Sequence, residues 1–277
     1  MYDLLVKGGS IYDGSGNSAY IGDIGVSAGK VVAIGDLGKE ASRIIDATNM
    51  AVSPGFIDLH THSDASFLID PDAQSKLRQG CTLELNGNCG ISRCAPLVGM
   101  ARGQAEEHWE SYGLDPRLIT WTTFEEYLNR LELAGSSINQ ASQVGHGTVR
   151  TAVMGFDDRA PTSSELDAMK ALVAEALDAG ALGFSTGLYY APGSYARTDE
   201  VAELAREAAS RDKLYSSHIR DESNYSVSLF NAIEEAIAIG RQSGVRVQIS
   251  HLKCLGRPTW GRAQDLLDRI ARSREEG

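Results

Sequence analysis
Long apolar runs are missing from this chain. No stretch approaches the ~20 residues of a membrane span. The N-terminus, MYDLLVKGGSIYDG, lacks a basic stretch followed by an apolar one, so it does not read as a secretory signal and a cytoplasmic protein is expected. The four cysteines (Cys81, Cys89, Cys94 and Cys254) follow no disulfide-scaffold spacing and read as reduced thiols or metal ligands. Positive charge is also short: 26 Lys and Arg against 37 Asp and Glu give a net charge of −11. That balance excludes binding to nucleic acid or to an anionic membrane through overall charge. Charged residues make up 23% and hydrophobic residues 42%, an ordinary globular composition that argues against disorder.

Glycine is plentiful, 29 of 277 residues, against a usual ~7%. Many tight turns or close backbone approaches are implied. The length is enough for one large domain with a small companion. Residues 1–54 alternate short β-type runs with turns: Leu4–Lys7, a turn at Gly8-Gly9, Ser10–Tyr12, Asp23–Val26 and Lys30–Ile34. They predict a small β-sheet module, closed by Pro54-Gly55. From residue 55 to 277 short apolar strands alternate with helical stretches. The strands are Phe56–His60, Thr82–Asn86, Ile138–Gly145, Ala181–Thr186, Leu214–His218 and Val245–Ser250. Helices are predicted at Ser163–Ala179, behind a Thr162/Glu165 capping box, at Asn224–Arg241 and at Gln264–Arg274. Gly99–Thr120 reads as a polar loop over the strand ends.

Alternating β and α units with buried strands predict a parallel sheet with crossover helices. The last three strands recur about every 33 residues, the size of one unit in a (β/α) barrel. The expectation is therefore an α/β fold, an incomplete TIM-type barrel of six units out of eight. Because the last helical pattern runs intact to Gly277, a fragment of a longer protein is expected.

The chemistry sits at the predicted strand ends. His60 and His62, two apart in an extended segment, point to one side roughly 7 Å apart and can converge on one ion. His218 and His251 end the fifth and sixth strands, so four of the six histidines fall where a barrel gathers its functional groups. Cys89, in Asn86-Gly87-Asn88-Cys89-Gly90, ends the second strand. Its thiolate suits zinc beside nitrogen ligands, and the flanking glycines let the backbone come close to the ion. Lys253 falls on the same side as His251, and Arg220 on the same side as His218. Each is placed to meet an anion. His146 ends the third strand and is assigned to packing, and His108 to an exposed surface. Cys81, Cys94 and Cys254 are read as structural.

Ser53-Pro54-Gly55-Phe56-Ile57-Asp58-Leu59-His60-Thr61-His62 resembles the strand-1 signature of the amidohydrolase superfamily. Asn88-Cys89-Gly90-Ile91-Ser92, Val144-Gly145-His146-Gly147-Thr148, Gly183-Phe184-Ser185-Thr186-Gly187-Leu188, His218-Ile219-Arg220 and Ile249-Ser250-His251-Leu252-Lys253 resemble its N-acyl-D-amino-acid deacylase (D-aminoacylase) branch. The resemblance implies a small N-terminal β-sandwich module beside the barrel. It implies zinc held tightly by Cys89, His218 and His251, and a second, weaker position at His60 and His62 with Cys89 able to bridge. Lys253 and Tyr190 would contact an N-acyl amino acid, a small-molecule partner. The implied reaction is hydrolysis of an N-acyl-D-amino acid to a carboxylate and a free D-amino acid. Other branches bridge two metals through a strand-4 lysine, and Gly183-Phe184-Ser185-Thr186 has none. A cyclic-amide hydrolase of the hydantoinase or dihydroorotase type is therefore the lesser alternative. The branch also carries a catalytic aspartate on strand 8, expected beyond Gly277. A further segment or a second chain would then complete the barrel, and the present chain reads alternatively as a zinc-binding but catalytically incomplete scaffold.

Overall fold
Burial of apolar strands on both faces, with helices between them, sets the architecture. The computed structural model describes residues 1–277 and divides into two units, Met1–Phe56 and Ile57–Gly277. The first is a single five-stranded sheet built from β1 (Tyr2–Ile11), β2 (Tyr20–Ser27), β3 (Lys30–Gly35), β4 (Ala41–Asp46) and β5 (Ala51–Val52). The order is β3-β2-β1-β4, with β5 also on β1. β1 runs antiparallel to β2 but parallel to β4 and β5.

The turn expected at Gly8-Gly9 is absent. β1 passes through both glycines as one strand, with a register shift between Val6 and Gly9. The buried Asp23 carboxylate makes this possible. It accepts the Gly8 amide at 2.8 Å, the Leu37 amide at 3.0 Å and the Lys7 ammonium at 2.8 Å. The irregularity is a bulge whose freed donor has a partner, so the chain need not turn.

In the second unit the order is β6 (Phe56–Asp58), two short helices α1 (Ser66–Ile69) and α2 (Gln74–Leu77), then β7 (Cys81–Asn86), α3 (Met100–Ser111), α4 (Phe124–Ala134), β8 (Asn139–Gly145), α5 (His146–Met154), α6 (Ser163–Ala179), β9 (Gly183–Gly187), α7 (Thr198–Ala209), β10 (Leu214–His218), α8 (Leu229–Ser243), β11 (Arg246–Ile249) and α9 (Ala263–Glu276). The six strands lie in sequence order, β6 to β11, in one sheet, with parallel pairing from β7 to β11. This is the six-unit partial (β/α) barrel that the alternation of strands and helices predicts. The core lies between sheet and helices, where Val144, Phe184 and Tyr215 meet Met169, Val173, Val201 and Leu204. No helix is long and apolar enough to cross a membrane.

Two expected elements change. Gly99–Thr120 is not a loop: α3 fills most of it, burying Ala101, Ala105 and Trp109 at four-residue steps. Three apolar residues among polar ones are enough for a helix to pack one stripe. The helix expected from Asn224 starts instead at Leu229. The buried Asp221 carboxylate accepts the amides of Ser223, Ser226 and Ser228, winding that segment into a loop. α8 also continues past Gly240 to Ser243 and stops at Gly244, in the left-handed conformation. Gly240 is a contact point, because a Cβ there would stand 2.6 Å from Val247 Cγ2 on β11.

Gly240→Ala gains ~1 kcal/mol of helix propensity but overpacks the interface by about 1–3 kcal/mol. A net loss of stability is expected in chemical denaturation. Gly240→Ala combined with Val247→Ala should recover the propensity part, and stabilisation by Gly240→Ala alone would refute the contact.

Candidate metal centre
The site is built on a turn that only glycine allows. After β7 the chain makes Asn86-Gly87-Asn88-Cys89-Gly90, with Gly87, Cys89 and Gly90 all at positive φ (70°, 56° and 72°). A Cβ on Gly87 would collide with the carbonyl oxygen of Gln143, and one on Gly90 would lie 2.6 Å from Gly187 N. The flanking glycines therefore let this turn press against the ends of β8 and β9. The close approach expected to an ion is an approach to neighbouring backbone. Ser185 ties the turn down by donating to Gly87 O and accepting from Gly90 N. Asn88 bonds to Leu85 O and Gln143. Cys89 is left with its sulfur aimed across the strand ends.

His60 and His251 meet that sulfur. His60 Nε2 and His251 Nε2 each lie 3.3 Å from Cys89 Sγ. Donors on a tetrahedral zinc with ordinary bond lengths stand ~3.6 Å apart, so the three atoms are spaced as ligands of one ion. His218, Glu222 and His251 form a second group, each group having its ligand atoms within 4.8 Å of one another. The His218 and His251 ring centroids are 4.4 Å apart. Both ring nitrogens of His218 are buried without a hydrogen-bond partner, as is His60 Nδ1. Imidazole nitrogens left free in this way are available to a ligand. His62 stands one step out, edge to face with His60 at 5.4 Å between ring centroids and in neither group.

Burial holds the His60 imidazole down at about 4, helped by the charges of His251 and His62, and His218 at about 4 for the same first reason and the charge of His251. His62 shifts the same way. Neutral imidazoles with free lone pairs result at neutral pH. Burial raises the Cys89 thiol to about 11. Its proton must therefore leave as an ion binds.

Glu222 was not singled out from the sequence. It is buried, and its Oε1 lies 3.0 Å from His251 Nδ1 and contacts Lys253 Nζ. The carboxylate and the Lys253 ammonium both stand against His251 Nδ1, the ammonium at 3.0 Å, and so support the ring from the side away from Cys89. Its one sequence signal is its place four residues after His218, too common a spacing to decide anything. Tyr190 donates to Cys89 O at 2.6 Å, and its ring stands edge-on to His218. Arg220 has its donors on Glu235 and on the carbonyls of Ser194 and Ala196, which leaves it little capacity for another anion. His146 is fully buried on Glu200 at 2.9 Å, with Arg150 on the same carboxylate. His108 is half-buried on α3, against Tyr112, rather than exposed. None of Cys81, Cys94 and Cys254 joins the cluster.

A model of the amidohydrolase family matches residues 43–213, well over half of the chain. The chain belongs to the amidohydrolase family. Within the family, N-acyl-D-aspartate deacylase of Alcaligenes xylosoxydans xylosoxydans is 40% identical over 273 residues, 98% of this chain and 53% of that protein. A crystal structure of D-aminoacylase superposes with a TM-score of 0.88 at 36% identity, over 99% of this chain and 56% of that one. N-acyl-D-glutamate deacylase from Bordetella bronchiseptica, complexed with zinc and a phosphonate that mimics the reaction's tetrahedral intermediate, gives 0.87 at 39% identity, over 100% and 56%. The chain spans about half the length of these relatives.

Unfolded histidines titrate near 6.5 and these folded ones near 4. The unfolded state then binds more protons between those values, and stability falls as pH drops through them. Asp64, fully buried and raised to about 6, works in the opposite direction. With His62 shifted the same way, the cluster histidines outnumber Asp64 and leave a net loss. Denaturation of metal-free protein should show stability falling from pH 6.5 to 4.5, with a flatter profile in His218→Asn. A profile that rises toward acid would refute the buried neutral imidazoles.

Proposed function
We propose that the cluster binds zinc and serves hydrolysis of the amide bond of an N-acyl-D-amino acid. The observation that carries this reading is the convergence of Cys89 Sγ with two imidazole Nε2 atoms at 3.3 Å, beside His218, whose two ring nitrogens are buried without a hydrogen bond. One sulfur and several neutral nitrogens make a donor set suited to zinc. The nature of the relatives, deacylases of N-acyl-D-amino acids, supports the substrate class.

Cys89, His251 and His218 would hold the ion, with His60 completing the set and His62 near enough to serve a weaker second position. Bound zinc supplies Lewis-acid polarisation of an amide carbonyl. The chain's own residues do the rest of the positioning. Glu222 and Lys253 brace His251 at Nδ1, and burial keeps His60 and His218 neutral. Tyr190 braces the backbone of Cys89 from the substrate side. Lys253, half-exposed and shared with Glu222, stands where a substrate carboxylate would pass. Within residues 1–277 we assign no general base: Glu222 is committed to His251 and Lys253, and Asp58 to Lys76. The aspartate that the resemblance places on strand 8 remains the expected base.

Purified protein should carry zinc, measured by elemental analysis, and Cys89→Ala should lose most of it. His60→Ala should weaken zinc binding more than His62→Ala. A full zinc complement in Cys89→Ala would overturn the site. Turnover of N-acetyl-D-amino acids in preference to hydantoins tests the reaction.

Zinc binding should also strengthen with pH. One thiol proton leaves as the ion binds, so Kd should fall about tenfold per unit between pH 7 and 9. A flat profile in competition titration would show that Cys89 is not a ligand.

A further inference from the structure
β6 brings His60 to the cluster, yet little in the strand itself fixes its height. It is three residues long, and its central residue, Ile57, is exposed. Burial of one face is what usually specifies register, so a short strand with an exposed apolar residue is weakly held. The tie comes from side chains instead. Lys76, on α2, places its ammonium 2.8 Å from Asp58 Oδ2 and 2.8 Å from Glu84 Oε1. Asp58 ends β6, and Glu84 lies in β7, five residues before Cys89. One cation therefore bridges the strand that leads to His60 and the strand that leads to the sulfur.

The two carboxylates use that cation differently. Glu84 is fully buried and no hydrogen bond reaches its oxygens, so the ammonium meets it as an ion pair that offsets its desolvation. Asp58 is partly exposed and works with both oxygens. Oδ2 takes the ammonium, and Oδ1 accepts the backbone amide of His60 at 3.2 Å. That second bond is a local turn of the Asx kind, placed where the strand stops and the histidine begins. The next residue, Thr61, donates its amide to Leu85 O at 3.1 Å and its hydroxyl to Asn86 Oδ1 at 2.8 Å, both on β7. His60 thus stands between two ties to β7. Thr61 holds the backbone after it, and Lys76 holds the backbone before it by keeping the Asp58 carboxylate turned toward the His60 amide.

We infer that Lys76 is a positioning residue for metal binding: it clamps Asp58 to β7 and so holds His60 Nε2 in register with Cys89 Sγ. Its own charge is spent on Asp58 and Glu84, and it makes no hydrogen bond to the cluster. The role rests on the zinc reading above and extends it to a residue that neither strand-end spacing nor resemblance singled out.

The test is a double-mutant cycle on zinc affinity, read by competition titration with a chelating indicator. Removing a group that orients a metal ligand costs about tenfold to a hundredfold in affinity, and Lys76→Met should raise the zinc Kd by that factor. Lys76→Arg, which keeps the charge, should recover most of it. In a His60→Ala background Lys76→Met should change Kd by less than about threefold, because the group it positions is gone. An equal loss in both backgrounds would show a general structural role and overturn the inference, as would an unchanged Kd in Lys76→Met. Lys76→Met also leaves Glu84 buried without its cation, which destabilises the fold. Lys76→Met combined with Glu84→Gln removes that buried charge and still leaves Asp58 unclamped, so its zinc Kd should stay raised. Wild-type affinity in that variant would trace the loss to instability and overturn the clamp. Failure of wild type to take up zinc, or wild-type affinity in His60→Ala, would instead overturn the ligand assignment itself, and the clamp with it.

Discussion
Close backbone contact between the Gly87–Gly90 turn and the ends of β8 and β9 is the constraint on which the rest of the site depends. No side chain fits between these segments: Gly90 faces Gly187, and a Cβ on Gly145 would come within 2.5 Å of the Gly90 carbonyl. Packing this tight fixes backbone against backbone, which is stiffer than any contact through side chains. It sets the height of Cys89 above the sheet, and thereby which imidazoles the sulfur can reach. Were the turn an ångström higher, His60 and His251 could not both lie at bonding range.

Electrostatics then completes what packing starts. Two imidazoles meet one sulfur and a third stands against His251, so protonation of His60 or of His218 is opposed by burial and by its neighbours. Glu222 stands beside His251 Nδ1, and Lys253 balances its carboxylate.

The parts of the site that obey strand and barrel periodicity were legible in the sequence. Strand ends fall together in a parallel sheet, so His60, Cys89, His218 and His251 were identifiable as convergent from their positions alone. The fold was legible for the same reason, since α6 has a cap, a stripe and a stop. What could not be read depended on contacts remote in sequence. Asp23 made a bulge where a turn at Gly8-Gly9 was expected, and Asp221 delayed the start of α8 by capturing amides. Glu222 became visible only when β10 and β11 were side by side. The grouping of His60 with His251, rather than with His62, is likewise a property of ring orientation. Alternation along a strand predicts the side a residue faces and not the rotamer it adopts.

Cys89 and His251 share one further property: both sit at positive φ, 56° and 29°. For residues with a Cβ such backbone costs on the order of 1 kcal/mol or more. Glycine or asparagine would relieve it. The fold thus spends some of its robustness at two points where a softer residue would sit better, and both points supply ligand atoms. Selection for heat tolerance alone would push positions 89 and 251 toward those replacements, and either exchange would take the sulfur or an imidazole out of the candidate cluster.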